Sequence, residues 1–397
     1  MTAAPTSLSL RGRRTLWLMV GAAVALRLIV AAATGTGTED HESFEIVRHA
    51  LREDPLHLYE DVPDLRWPYP PGYLPVVAAF ASLASATGID FTHLLRAGPI
   101  AADAGIALLA QHLLGLHGAG ERARLGAAAL VLLGPVFVGV SAYQGQVDSV
   151  AILPALAAFA VWHRAGPRRA VGAGLLIGLG ASMKTVPLLM LIALAPSVRS
   201  PRELAALTGA AVAVPLAMLA PFVAVDPGEV WGHLTYRGFP GLGGLSLLVQ
   251  PDFPLFWQSG HAVPAGAGTT FLGDYGGVVA AAGILAAAAL AARFRPDPLE
   301  AATVVWLAVW LFGVNFFIQY LVWGLPFLIA RGRLRAALAI QALAAPAALV
   351  LYLDRSEEWL VWAAYTAPMV ALWALTAVLL AQRVRGYAAA MPRAGAA

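Results

Sequence analysis

The chain has 397 residues, 59% of them hydrophobic and only 12% charged, with a formal charge of +3 and no cysteine. Soluble domains carry roughly 25% charged residues, so this composition excludes an ordinary water-soluble fold and requires a chain mostly embedded in lipid. The small positive excess is spread over many short loops, which is an orientation signal rather than a nucleic-acid patch, and without thiols no disulfide staples an outer loop.

Arg11, Arg13 and Arg14 precede an apolar run at residues 15–33. The run is long for the core of a signal peptide and close to the roughly 20 residues that cross a bilayer, so it reads as an uncleaved first span. Further apolar runs fall at 94–116, 123–142, 147–163, 170–183, 185–196, 203–225, 275–294, 299–314, 316–330, 334–353 and 359–382. A proline-led run at 73–87 reads as a surface or re-entrant helix, because counting it as a span inverts every later loop. With the N-terminus in the cytoplasm, the other runs alternate. Most of the arginines that follow, among them Arg122, Arg124, Arg168, Arg199, Arg293, Arg331 and Arg383, then fall inside, as the positive-inside rule requires. The expected architecture is an all-α polytopic bundle of about twelve transmembrane helices with both termini cytoplasmic. Its first outer loop, 34–93, is long and carries juxtamembrane helices. Residues 1–230 form an N-terminal catalytic module, and residues 231–397 a C-terminal module that takes in the second outer loop, 226–274, and spans eight to twelve.

Along this frame the polar residues gather on the outer side. Between Glu39 and Arg66 there are nine acids and three arginines. Asp40 and Glu42 stand two apart, so they do not share a helix face; one can enter a cavity as a general base while the other pairs elsewhere, or both are simply solvated. In "RWPYPPGYLP" (66–75) the prolines stiffen the backbone. The rings of Trp67, Tyr69 and Tyr73 then serve either as an interface anchor or as a rigid wall for a sugar or lipid. "YQGQVDS" (143–149) offers Gln144, Gln146 and Asp148 as hydrogen-bonding groups for hydroxyls, or Asp148 and Ser149 as helix caps.

Two hairpins are short. Each leg of 170–196 has about 13 residues, or about 20 Å, against a hydrocarbon core of about 30 Å. The turn "MKTVP" (183–187) is therefore expected below the outer surface, and "NFFIQY" (315–320) likewise. Polar turns at that depth need water or protein around them, which implies a cavity open to the outside. Lys184 is the single lysine of the chain and lies at such a turn; a charge at membrane depth marks a functional site by default. Arg27, Arg96 and Asp103 lie within or at the outer ends of spans, where Asp103 can pair with Arg27 or Arg96. Arg237 sits among glycines in "HLTYRGFPGLGGLS" (233–246), where the backbone can approach an anion. There is no metal-ligand spacing and no nucleotide fingerprint, so neither metal nor other cofactor is expected.

In this order the segments resemble the GT-C superfamily of membrane glycosyltransferases. They are similar to dolichyl-phosphate-glucose glucosyltransferases and bacterial polyprenyl-phosphate-mannose mannosyltransferases. "DHESFEIVRH" (40–49) resembles the family's Asp-aromatic-Glu element, with His41 in the aromatic place. "PYPP" (68–71) resembles its "DYPP" element, with Pro68 in place of the acid. "RAGPIAAD" (96–103), Arg237-Gly238 and "QYLVWGLPFL" (319–328) are similar to its later motifs. The resemblance implies an inverting transfer of a hexose, with mannose favoured, from a polyprenyl-phosphate donor to a lipid-linked or envelope glycan acceptor. The protein would be an integral, multi-pass component of a bacterial plasma membrane with the active site facing outside. Asp40 would be the general base; Lys184, Arg237 and Arg96 would hold the donor phosphate. Glu42, Trp67, Tyr69, Tyr73, Gln144, Gln146, Asp148, His233, Gln319 and Tyr320 would contact sugar or acceptor. A transporter or flippase for a lipid-linked sugar is the alternative, although carriers of this size usually show matching halves and this chain shows none.

Overall fold

The computed structural model describes residues 7–35, 38–164, 166, 168–235, 240–259, 266–314 and 316–389, and these contain helices and no strand. The chain begins with α1 (Leu10–Ala33), and the long loop expected outside then supplies α2 (Glu39–Glu53), α3 (Leu58–Asp61) and α4 (Leu74–Thr87). Next come α5 (Phe91–Leu116), α6 (Glu121–Leu132), α7 (Pro135–Val138), α8 (Asp148–His163), α9 (Arg169–Met183) and α10 (Met190–Leu194). The middle of the chain holds α11 (Pro201–Val223), α12 (Pro227–Leu234), α13 (Ser246–Val249), α14 (Phe253–Ser259) and α15 (Ala267–Phe294). The last are α16 (Pro298–Phe312), α17 (Leu321–Ala330), α18 (Leu334–Tyr352), α19 (Glu358–Leu360) and α20 (Ala367–Ala389).

Local signals set many of these boundaries. Ser9, Asp90, Ser200, Asp226 and Asp297 each accept a hydrogen bond from a first-turn amide of the helix that follows. Those amides have no partner inside the helix. Proline leads α7, α11, α12 and α16, where its missing N–H costs nothing. Gly88 ends α4 at φ 72°, a left-handed cap suited to glycine.

Seven helical segments are long and apolar enough to cross a membrane: Leu10–Ala33, Phe91–Leu116, Glu121–Gln144, Pro201–Val223, Ala267–Phe294, Leu334–Tyr352 and Glu358–Ala389. The protein is an all-α polytopic membrane protein. The shorter apolar helices Asp148–His163, Arg169–Met183, Val186–Ser197, Pro298–Phe312 and Ile318–Ala330 coincide with the remaining runs expected from sequence. The last four are the two short hairpins. Their turns are broken rather than helical: Lys184 is extended at φ −154°, and Phe317 at φ −113° precedes a single 3₁₀ turn.

Two apolar cores hold the molecule together. One runs through the bundle from Leu8 to Leu372. The other is built by the outer loop itself: Phe44, Val47, Leu58, Tyr59, Val62, Trp67, Tyr73 and Val77 pack with Phe91, Leu95, Val147 and Val230. The acid-rich loop is thus a folded platform. Glu42, Glu53, Asp54, Glu60, Asp61 and Asp64 are exposed, while Phe44, Tyr59, Trp67 and Tyr73 are buried.

Helix α9 packs against α8 and α11, and its glycines make the second contact intimate. A Cβ on Gly174 would lie 2.4 Å from the Leu207 carbonyl oxygen, and one on Gly178 would lie 2.6 Å from that of Ala211. This Gly-x-x-x-Gly spacing lets two helix backbones touch, the usual solution where lipid offers no hydrophobic drive for association.

Candidate functional site

Three constraints position the buried polar groups of the bundle. The first is a buried ion pair between α1 and α5. Arg27 Nη2 meets Asp103 Oδ2 at 3.0 Å, with both side chains only 1% exposed. Arg27 Nε also donates to Ser141 Oγ at 3.1 Å, and its Nη atoms donate to the carbonyls of Ala23, Val131 and Leu132. The Ser149 hydroxyl donates to the other oxygen of Asp103 at 2.5 Å. With nearly every donor satisfied, this pair is structural, and it anchors the π-helical turn Gly139–Gln144 and the start of α8, where Asp148 lies. Of the two partners open to Asp103 from sequence, the fold selects Arg27.

The second constraint is Arg96. It is fully buried and donates to the carbonyls of Ala31 at 2.5 Å, Thr34 at 3.4 Å and Gly35 at 3.0 Å. It therefore grips the chain between α1 and α2, immediately before Asp40. Gly145, at φ 70°, lies beside it: a Cβ there would sit 3.1 Å from Arg96 Cγ and 3.6 Å from His41 Nε2. His41 is buried at 0% exposure, whereas Asp40 is half-buried. Thr38 caps α2 by accepting from the His41 amide at 3.3 Å, so Asp40 occupies the first turn, where the positive end of the helix dipole favours a negative charge.

The third constraint is the pair Asp148–Lys184. Lys184 Nζ lies 2.8 Å from Asp148 Oδ1, with side-chain exposures of 8% and 0%. Trp323 Nε1 donates to the same oxygen, and Oδ2 is buried without a hydrogen-bond partner among the described residues. The ammonium stands over three rings, 4.9 Å from the centroid of Tyr69, 5.1 Å from Trp323 and 5.7 Å from Tyr320. Tyr320 and Trp323 stack at 4.0 Å. Such faces attract a cation more strongly as water is excluded. The aromatic wall is delivered by the outer loop. The turn Pro71–Tyr73 packs on α9 and α11, and a Cβ on Gly72 would lie 2.5 Å from the Ser182 carbonyl oxygen. Only glycine permits this approach, which brings Tyr69 over Lys184.

Tyr352, at the end of α18, packs on the turn 143–148. Its hydroxyl donates to Gln144 Oε1 at 3.1 Å, and its ring stacks on Tyr143 at 4.8 Å. The same turn lies beside His41, the neighbour of Asp40, at Gly145 and carries Asp148, the partner of Lys184. Gln146 is buried with Oε1 unpartnered among the described residues, and Gln319 is buried just before Tyr320.

The other candidates from sequence lie differently. Glu42 points outward, 62% exposed, and pairs with Arg66 at 2.9 Å. Trp67 and Tyr73 are buried in the platform core, with Phe44 edge-on to both rings. The Tyr73 hydroxyl is buried without a partner among the described residues. His233 on α12 is buried between two carbonyls, with Nδ1 2.9 Å from Trp67 O and Nε2 2.8 Å from Tyr59 O, and so clamps the second outer segment onto the platform. The Tyr59 hydroxyl donates to Tyr69 O at 2.8 Å, and burial pushes this phenol's pKa upward. Arg237 lies outside the described residues. Trp323 and Tyr352 were not singled out from sequence. Trp323 lies within an apolar run, and Tyr352 at a span end reads as an ordinary interface tyrosine.

The family model of glycosyltransferase family 87 matches residues 67–314, more than half of the chain. No curated protein matches the chain significantly.

Proposed function

The chain belongs to glycosyltransferase family 87, and on that premise we propose that it moves a hexose from a polyprenyl-phosphate donor to an acceptor hydroxyl with inversion. The observation that carries this reading is the turn 143–148, which lies beside His41, the neighbour of Asp40, at Gly145 and meets Lys184 through Asp148.

In this reaction the acceptor oxygen attacks the anomeric carbon while the bond from that carbon to the phosphate oxygen breaks. The phosphate leaves with the electron pair, and the acceptor proton passes to the Asp40 carboxylate. A positioned base contributes roughly 10²–10⁴-fold. Lys184 is the cation for the departing phosphate, acting as a point charge. Asp148 and the rings of Tyr69, Tyr320 and Trp323 hold it ready, so little reorganisation is needed when charge develops. Arg96 acts one step back, fixing the chain that presents Asp40. Gln146 and Gln319 offer hydrogen bonds to sugar hydroxyls. The acceptor is a lipid-linked or envelope glycan, the site faces away from the cytoplasm, and mannose is the first sugar to try.

Membranes carrying the protein are incubated with labelled polyprenyl-phosphate mannose, glucose and arabinose. Wild type is expected to consume one of them. Asp40→Asn is expected to lower that transfer by about 10²–10⁴-fold at unchanged protein level. Full turnover by this variant would remove Asp40 from the base role, and no consumption of any donor by wild type would remove the donor class.

A further inference from the structure

A second polar cluster lies at the far end of the bundle. Helix α17 carries Trp323, beside Lys184, in its first turn and ends next to Arg331, about 12 Å further on at 1.5 Å per residue. There Glu300, in the first turn of α16, is 5% exposed. It meets Arg331 at 3.2 Å, Arg333 at 3.0 Å and Arg383 at 3.4 Å. The other acid, Asp297, lies 3.7 Å from Arg331 Nε through Oδ1 and has further partners. Its Oδ1 caps α16 by accepting from the Leu299 amide at 3.0 Å, and its Oδ2 meets His117 Nε2 at 3.2 Å. Three guanidinium groups therefore face two carboxylates, and only Glu300 meets all three.

The cluster surrounds a cavity of about 300 Å³ lined by Asp297, Glu300, Arg331, Arg333, Arg383 and Tyr387, among others. Arg333 Nε and the Tyr387 hydroxyl are buried there without hydrogen-bond partners among the described residues. Buried donors without acceptors are costly, so a cavity that presents them beside surplus positive charge is built for an acceptor the protein does not supply. Guanidinium forks match phosphate oxygens in pairs. The cavity also opens at the level where α15 and α20 end, with Phe294 and Tyr387 stacked at 5.4 Å beside it. Basic pockets between helix ends suit anionic headgroups.

We propose that this cavity is a binding site for a phosphate-bearing anion, held by Arg331, Arg333 and Arg383 with the Tyr387 hydroxyl as a further donor. Glu300 holds the arginines together while the site is empty and competes with the anion for them. This site is separate from the Asp40–Lys184 site and does not depend on the reaction proposed there.

The full chain in phosphatidylcholine nanodiscs is compared with the same chain in discs that also contain phosphatidylglycerol, and with phosphatidylcholine discs plus inorganic phosphate. The readouts are the thermal midpoint and the lipid retained in native mass spectrometry. Phosphatidylglycerol is expected to raise the midpoint and be retained. Arg333→Gln and Arg383→Gln should each weaken retention about tenfold, the worth of one charge-assisted hydrogen bond. Glu300→Gln, which keeps all three arginines, should show a larger rise than wild type. Protection by phosphate alone that depends on the same arginines supports the site with a soluble anion as its occupant. If neither probe stabilises Glu300→Gln more than wild type, or if the arginine variants keep the full effect, the cluster is only an ion-pair lock and the proposal falls.

Discussion

At the scale of single residues, Lys184 poses the sharpest question, because a buried ion pair is a poor way to gain stability. Removing one partner strands the other, at a cost of about 3–5 kcal/mol, whereas removing both charges together is often neutral. Lys184→Met is therefore expected to lower the thermal midpoint, and adding Asp148→Asn to recover most of it. Sugar transfer should stay lost in both, since no cation then meets the phosphate. Recovery of transfer together with stability in the double variant would make the pair structural. The sequence made Lys184 legible because it is the only lysine and falls at the turn of a hairpin too short to cross. It could not reveal that Asp148 is its partner. Asp148 read as a sugar-hydroxyl contact or a helix cap, and pairing across 36 residues depends on how α8 and α9 lie against each other.

At the scale of elements, the platform is the least expected part. The prolines and rings of residues 66–75 announced stiffness, but their destination was open between a membrane interface and a site wall. The structure divides them: Trp67 and Tyr73 go into the platform core, and Tyr69 goes over Lys184. The divider is Gly72 on Ser182, a contact that cannot be inferred from spacing. Gly72→Val is expected to lift this turn off α9 and reduce transfer by an order of magnitude or more, since misplacement by about 1 Å can cost about 10²-fold. Unchanged kinetics would show that the Tyr69 face is dispensable.

The junction of α5 and α16 gives a second test at this scale. The hydrogen bond to Asp297 raises the His117 pKa above its ordinary 6.5. Asp297 is pushed up by burial, but the hydrogen bond to His117 and its charge outweigh this and leave it below 3.8. The His117 contribution is complete below its unfolded pKa and disappears as pH rises through the raised folded value. The Asp297 contribution is complete above its unfolded pKa and disappears as pH falls through the lowered folded value. The pair therefore stabilises most between those limits, on the mildly acidic side of neutrality. His117→Gln should flatten the fall in thermal midpoint on the alkaline side of that window; an unchanged profile would exclude the pair as its cause.

At the scale of the whole molecule, the number and place of the apolar helices were readable because lipid demands long apolar runs and gives no alternative to helix in one chain segment. Six shorter apolar helices are present among the described residues, and only insisting that arginine-bearing ends share a side separates Pro71–Thr87 from the other five in the sequence. Membership of glycosyltransferase family 87 now favours transfer over carriage. Sidedness itself is open to direct measurement, since the native chain has no cysteine to confuse labelling. Glu60→Cys on the platform is expected to react with an impermeant maleimide in intact cells, and Arg122→Cys only after lysis. The reverse pattern would turn the molecule over and place the proposed site in the cytoplasm.

The touching backbones of α9 and α11 carry a mechanical consequence. A helix wedged that firmly has no slack, so the ammonium at its tip is a fixed post. Under the proposed reaction, a bulky isoprenoid donor must still come and go past it. The travel has to be made by the proline-braced shelf that leans on the post, and by the His233 latch that fastens that shelf to α12.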